Sequence, residues 1–141
     1  MSSAALVALL AASAEAAAVI AGGNYRGALD GPQSKVGVSF RVSGNGRQVL
    51  AVRLTKLPIY CKGSPPPAAR ISFHSAAIVG GRFIAKGRDA IPVGPLKGTP
   101  VATLTMTGTF APGGRESGTI TTTFAGSGSK CGGHSSYTTR S

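Results

Sequence analysis

The stretch "KVGVSFRV", residues 35–42, alternates apolar and polar positions without a break. Val36, Val38, Phe40 and Val42 fall on one parity, and Lys35, Ser39 and Arg41 on the other. A period of two belongs to a strand with one buried face and one wet face. The same period returns near the C-terminus in "ATLTMTGTFAPGGRESGTITTTFAG", with Thr103, Thr105, Thr107 and Thr109 on one parity and Leu104, Met106 and Phe110 on the other. Thr119, Thr121 and Thr123 alternate in turn with Ile120 and Phe124. Beyond the N-terminal segment no stretch shows a helical period. Abundant Gly (21) and Pro (9) supply the punctuation that short strands need. At 141 residues, 42% of them hydrophobic, the chain is long enough for one domain with a real core. These features together predict an all-β fold: an antiparallel β-sandwich, Ig-like or jelly-roll-like, of about eight strands after an N-terminal signal helix.

Registers follow from the requirement that inward partners be apolar. With Gly44-Asn45-Gly46 as a loop, Ser43 faces Arg47, and the expected pairs are Phe40–Leu50, Val38–Val52 and Val36–Leu54. In the threonine hairpin the expected pairs are Leu104–Phe124 and Met106–Thr122 inside, with Thr105–Thr123, Thr107–Thr121 and Thr109–Thr119 outside. That threonine row reads as the solvated side of a sheet, since a flat hydroxyl array for ice or polymer would need many rungs at a fixed period. Pro58 limits its strand to an edge, Pro65-Pro66-Pro67 is a stiff connection, and Gly80-Gly81 is a two-residue hairpin signal. Residues 86–100, with three Pro and three Gly, read as a long surface loop.

The opening "MSSAALVALLAASAEAAAVIAGG" has the apolar run and small-x-small sites of an exported protein's leader. Residues 1–20 are expected to be a signal peptide cut between Ala16 and Ala21, and residues 21–141 the β domain. Glu15 argues against a retained membrane span. The product is expected outside the cell or at its envelope, as a monomer with no transmembrane span. In that compartment Cys61 and Cys131 have one possible pairing, a disulfide worth roughly 4 kcal/mol in the chain-entropy model. The metal alternative is a Cys2His2 set of Cys61, His74, Cys131 and His134. Its spacing fits no standard finger, so no metal and no cofactor are expected.

"NYRG", "VGVSFRV", "IYC", "GGRF", the pair "LTMTGTF" and "SGTITTTF", and the closing "C…SSYTTR" resemble a group of uncharacterised small secreted bacterial proteins. The resemblance covers most of the chain after the leader. It implies a single-domain β-sandwich tied by one disulfide, with an aromatic near the last Cys, here Tyr137. It carries over no catalytic residue.

Charge narrows the function. Lys and Arg number 15 against 4 acids, a formal net charge of +11. The candidate contacts for a polyanion are Lys35, Arg41, Arg47 and Arg53 on the first hairpin and Arg82, Lys86, Arg88 and Lys97 further on, with Lys56 and Lys62 in loops. Catalysis has little to stand on. There is no G-x-S-x-G elbow and no Gly-rich phosphate loop, and the bases His74 and His134 and the acids Asp30, Asp89 and Glu116 form no pattern. No Trp is present, which disfavours specific stacking on sugars or bases. The sequence therefore predicts a non-catalytic exported module that engages anionic extracellular or cell-envelope polymers through a basic face, without specific nucleic-acid recognition. A secreted protein-binding or inhibitor domain is the alternative, and a small hydrolase a more distant one.

Overall fold

The computed structural model describes residues 18–31, 34–56, 58, 60–61, 70–90, 94–95, 97–98, 100–124 and 131–141. The expected signal segment up to residue 17, Lys62 and the Pro65-Pro66-Pro67 connection lie outside the described residues. Ten strands follow in order: β1 (Asn24–Leu29), β2 (Gly37–Val42), β3 (Gln48–Leu54), β4 (Tyr60–Cys61), β5 (Arg70–Phe73), β6 (Ala76–Ala77), β7 (Arg82–Ala90), β8 (Pro100–Ala111), β9 (Arg115–Phe124) and β10 (Cys131–Arg140). The fold is all-β, as the alternation requires, and every pairing of named strands is antiparallel.

The strands do not divide into two stacked layers as a sandwich would. They form one sheet in the order β5-β7-β8-β9-β10-β1-β2-β3-β6, with β4 pairing β10 beside that path. β4 is the two-residue edge piece that Pro58 foretold. Two connections explain the single sheet. β10 returns to pair with β1, so the last strand joins the first. β5 pairs β7 and β6 pairs β3, and only His74 and Ser75 separate β5 from β6. The amide of His74 donates to Lys86 O at 3.0 Å and that of Ile78 to Arg47 O at 2.8 Å, so one bent segment links both ends of the sheet. Curling buries one face of each strand without a second sheet, and it leaves few open edges.

The concave side holds the core. Tyr25, Leu29, Val38, Phe40, Val42, Val49, Phe83, Leu104, Met106, Phe110, Ile120 and Tyr137 are all buried there. Tyr25 stacks on Phe40 with ring centroids 5.0 Å apart, and Phe110 meets Tyr25 edge-on at 5.2 Å. Phe83 meets Phe40 at 5.5 Å, closing a cluster drawn from β1, β2, β7 and β8. Each such pair adds about 0.5–1.5 kcal/mol beyond the area it buries. Ala18 is also buried, Val19 packs on the core, and the amide of Ile20 donates to the Tyr25 hydroxyl at 3.4 Å.

The first hairpin departs from its expected register. Ser43 faces Gln48 and not Arg47, so it closes a four-residue loop, Gly44 to Arg47, in place of the expected three-residue one. Its Oγ accepts from the amides of Gln48 at 3.0 Å and Arg47 at 3.2 Å, and its amide donates to Gln48 O. Val42 therefore faces Val49 and Arg41 faces Leu50, so Val49 enters the core and Leu50 turns outward. The parity is then reset. Between the pairs Arg41–Leu50 and Ser39–Arg53, one residue of β2 faces two of β3, a bulge at Ala51-Val52. Ala51 takes φ of 53°, a left-handed conformation unusual for alanine. The bulge returns Val52 to the core and lets Val38 meet Leu54.

The threonine hairpin keeps its expected parity but not its partners. The observed outer pairs are Thr103–Thr123, Thr105–Thr121, Thr107–Thr119 and Thr109–Ser117, one step tighter than expected. The reason is the turn: Ala111 pairs Arg115 across only Pro112-Gly113-Gly114. The tighter register sets Glu116 opposite Phe110, on the inner face. Residues 86–90, expected in a loop, belong to β7. Gly87, which reads as a loop signal, is there because the Phe73 ring occupies the space a Cβ would need. Gly80 and Gly81 form the expected turn, both at positive φ, with Val79 bridging Arg82.

The bulge generates a test. Ala51 is exposed, so its substitution touches backbone conformation rather than packing. Ala51→Gly relieves the left-handed penalty and is expected to be neutral or stabilising by up to about 1 kcal/mol. Ala51→Val places a β-branched residue there and is expected to destabilise by more than about 1 kcal/mol. Urea unfolding midpoints of the two variants check the pair. The opposite order would mean that the bulge does not form.

Candidate functional site

The convex face is built from the parity that the core leaves over. At its centre lie β8, β9 and β10, which present Thr103, Thr105, Thr107 and Thr109, then Ser117, Thr119, Thr121 and Thr123, then His134, Ser136 and Thr138. Neighbours across strands satisfy one another. Thr107 and Thr119 share a hydrogen bond at 2.9 Å, Thr121 Oγ1 and His134 Nδ1 lie 2.8 Å apart, and Lys86 Nζ donates to Thr105 Oγ1 at 3.2 Å. This is a hydroxyl field on three strands, solvated as expected.

Basic residues border the field on both sides. On β7, Arg82, Lys86 and Arg88 alternate outward, and the exposed Ile84 stands between the first two. On the other side Arg41 and Arg53 point outward from β2 and β3. Of the remaining sequence candidates, Lys35 lies exposed in the β1–β2 turn, Arg47 in the β2–β3 turn, and Lys97 in the exposed stretch before β8. The sheet thus spreads the candidates over two separate strips and several turns.

Three arginines that sequence reasoning missed complete the second strip. Arg115 pairs with Arg140, and Arg140 pairs with Arg26, so three guanidinium-bearing residues sit side by side on β9, β10 and β1. Arg26 continues in register to Ser39, and Ser39 to Arg53. All four arginines of this row are exposed. They come from sequence positions far apart, and no local pattern announces their meeting. A groove of about 670 Å³ runs beside the first three, with Ala28, Ser117, Thr138 and Asp30 in its lining. Grooves of about 420 Å³ and 320 Å³ adjoin it, and both include Arg26 and Arg53.

The acids are almost withdrawn from this surface. Asp89 and Glu116 are buried on the inner face, at 2% and 1% exposure. Asp30 is exposed, but its Oδ2 accepts from Ser136 Oγ at 2.8 Å. Burial pushes the carboxyl of Asp89 up, and its Oδ1 has no hydrogen-bond partner among the described residues.

Glu116 has a fuller setting. Its Oε1 accepts from Thr139 Oγ1 at 2.6 Å, and its Oε2 lies 2.5 Å from the Tyr137 hydroxyl. Space for it comes from Gly108, where a Cβ would overlap both the Phe83 ring and the Glu116 carboxyl. The Tyr137 hydroxyl also lies 2.9 Å from the backbone carbonyl of Thr107. A tyrosine carries one hydroxyl proton, and a carbonyl can only accept. With Glu116 ionised, one proton must serve two acceptors. With Glu116 protonated, its own O–H donates to Tyr137, Tyr137 donates to Thr107, and each contact has a proton. Burial raises the Glu116 carboxyl to about 7, against the lowering effect of the Thr139 and Tyr137 hydrogen bonds. Burial and the adjacent carboxyl push Tyr137 up as well, so it stays neutral.

The groups weighed for chemistry in the sequence are not brought together. Glu116 and Asp89 face inward, while His134 faces outward and His74 sits exposed at the β5–β6 bend. Thr121 and His134 have the spacing of a nucleophile and a base, but Asp30, the acid on that face, is bonded to Ser136 instead. Strands β7, β8 and β9 separate His74 from His134, so the Cys2His2 set does not converge. Cys61 and Cys131 are direct partners in the β4–β10 register. Among the described residues no helix is long and apolar enough to cross a membrane. Comparison with family models, with curated proteins and with solved structures found no match to this chain.

The Glu116 network sets a pH dependence. The folded value of about 7 lies above the ordinary glutamate value of 4.5, so the folded protein holds a proton that the unfolded chain releases. The stabilising share is complete below about 4.5 and is lost as pH rises through 7, on the order of 3 kcal/mol in all. The raised carboxyl of Asp89 acts in the same direction. Chemical unfolding between pH 4.5 and 8.5 should show stability falling with pH. Glu116→Gln, whose amide donates toward Tyr137 at every pH, should flatten that slope. An unchanged slope would mean that Glu116 is not protonated in the fold.

Proposed function

We propose that this chain is an exported, non-catalytic module that holds anionic polymers of the extracellular space or cell envelope against its convex face. The observation that carries this reading is the sorting of charge. The described acids are buried or tied to a neighbour, while Arg26, Arg41, Arg53, Arg82, Lys86, Arg88, Arg115 and Arg140 stand exposed on the outer face. Such a surface carries a positive potential that few local carboxylates offset, and it attracts any polymer with repeated negative charge. The hydroxyl field between the two basic strips supplies donors and acceptors for polar groups along that polymer.

Export is supported by the N-terminal composition and by the two cysteines. Partners facing each other in an antiparallel ladder have Cα atoms about 4.5–5.5 Å apart, inside the range a disulfide needs. Cys61 and Cys131 hold that relation. The packing of Ala18 and Val19 favours a leader cut after Ala16 over one after Ala18, because the later cut would remove a buried residue.

Two measurements check these readings. Retention on a polyanion column should fall steeply with salt, because counterions are released as charges pair. Arg41→Ser with Arg53→Ser and Arg82→Ser should make that dependence shallower while changing stability little. Retention that ignores salt would overturn the electrostatic reading. Intact mass of protein exported from a bacterial host reports the second point, with a chain beginning at Ala17 and lacking two hydrogen atoms relative to its reduced form. A mass that includes Met1 would remove the case for a cleaved leader, and two free thiols the case for the disulfide.

A further inference from the structure

The row Arg115, Arg140, Arg26 is a costly thing to build. Residues directly opposite in an antiparallel pair have Cα atoms about 4.5–5.5 Å apart, and like charges in that relation repel. Here the arrangement occurs twice running, between β9 and β10 and between β10 and β1. No described side-chain carboxylate forms an ion pair with it. Glu116 and Asp89 face the other side of the sheet, and Asp30 lies four residues along β1 from Arg26, about 13 Å away at strand rise. Three guanidiniums so placed can fork around an oxyanion, where lysines would act only as points of charge.

Beside the row the surface becomes small and hydroxylated. One step along the strands, Ser117 pairs Thr138 and Thr138 pairs Ala28. These short side chains and the three arginines together line the groove of about 670 Å³. Asp30, which accepts from Ser136 Oγ, lines the groove as well. An occupant matched to this groove carries an oxyanion on a scaffold of hydroxyl groups. Resting on the reading of the convex face as a polyanion-binding surface, we propose that the groove is a discrete subsite for an acidic polysaccharide. Its carboxylate or sulfate group sits on Arg26, Arg115 and Arg140, and its sugar hydroxyls meet Ser117 and Thr138. Single-stranded nucleic acid fits less well. Tyr25, Phe40, Phe83, Phe110 and Tyr137 are buried and Phe73 is half-buried, so no described aromatic ring is fully exposed for bases to stack on.

The test compares two polymers and four variants at fixed salt. Wild-type protein is titrated with dextran sulfate and with single-stranded DNA. Arg26→Gln with Arg115→Gln and Arg140→Gln should weaken dextran sulfate binding about tenfold or more, because it removes the whole fork. Removing the same charge from exposed turns, by Arg47→Gln with Lys56→Gln and Lys97→Gln, should weaken it less than about threefold. Thr138→Val, which keeps shape and deletes the hydroxyl, should weaken dextran sulfate severalfold and leave DNA unchanged. The triple glutamine variant should keep the wild-type unfolding midpoint, since it relieves repulsion. Should it fail to fold, Arg26→Lys with Arg115→Lys and Arg140→Lys keeps the charge and should still bind severalfold more weakly. Equal losses from the row and turn variants, or full binding by the lysine variant, would overturn the subsite and leave the polyanion reading standing. Tighter binding to DNA than to dextran sulfate, or equal losses on both polymers from Thr138→Val, would overturn the choice of polysaccharide. Wild-type protein that binds neither polymer would overturn the polyanion reading itself.

Discussion

β10 pairs with β1 across more than a hundred residues of sequence, through Arg140–Arg26, Thr139–Gly27, Thr138–Ala28 and Tyr137–Leu29. Bringing such distant segments together costs chain entropy, but that cost grows only logarithmically with separation. Gly27 makes the approach possible, since a Cβ there would overlap the backbone carbonyl of Thr138. Much of the molecule depends on this one ladder. It converts a row of hairpins into a curled sheet, and it puts Tyr137 inside beside the aromatic cluster. Both side-chain partners of Glu116, Tyr137 and Thr139, arrive on β10. On the other face the same ladder aligns Arg140 with Arg26 and thereby creates the arginine row. Core, buried carboxyl and outer groove share a single structural cause.

What the sequence disclosed, and what it hid, follows from the same geometry. Alternation reports which side of a strand is buried, so the inward places of Val38, Phe40, Leu104, Met106 and Ile120 were legible, as was the wet threonine face. It does not report what covers the buried side. A second sheet and a curl of the same sheet give one pattern, and the sandwich expectation had no means to separate them. Registers depend on turn length, which side chains can alter. The Ser43 hydroxyl lengthened one turn, the Ala51 bulge reset the parity after it, and the tight Pro112–Gly114 turn shifted the threonine pairs by a step. Arg41 and Arg53 were legible as outward charges because both lie in one hairpin. Arg26, Arg115 and Arg140 were not, because only the non-local ladder makes them neighbours. Glu116 sits in "PGGRESG", a context that reads as exposed turn. It shares the inward parity of Ile120, and its partners Tyr137 and Thr139 come from the distant β10.

Arg115 and Glu116 are consecutive, and the pleat sends them to opposite sides of the sheet. The hydrogen bonds from Thr139 and Tyr137 favour an ionised Glu116, whereas burial and the proton count of the Tyr137–Thr107 chain favour the neutral acid. Burial dominates, since the carboxyl is held well above its ordinary value. One consequence is that the acid nearest the row does not cancel it, because at moderately acid pH it is neutral. Thus the strand alternation that sorts apolar from polar side chains also sets an exposed arginine next in sequence to a buried, neutral acid.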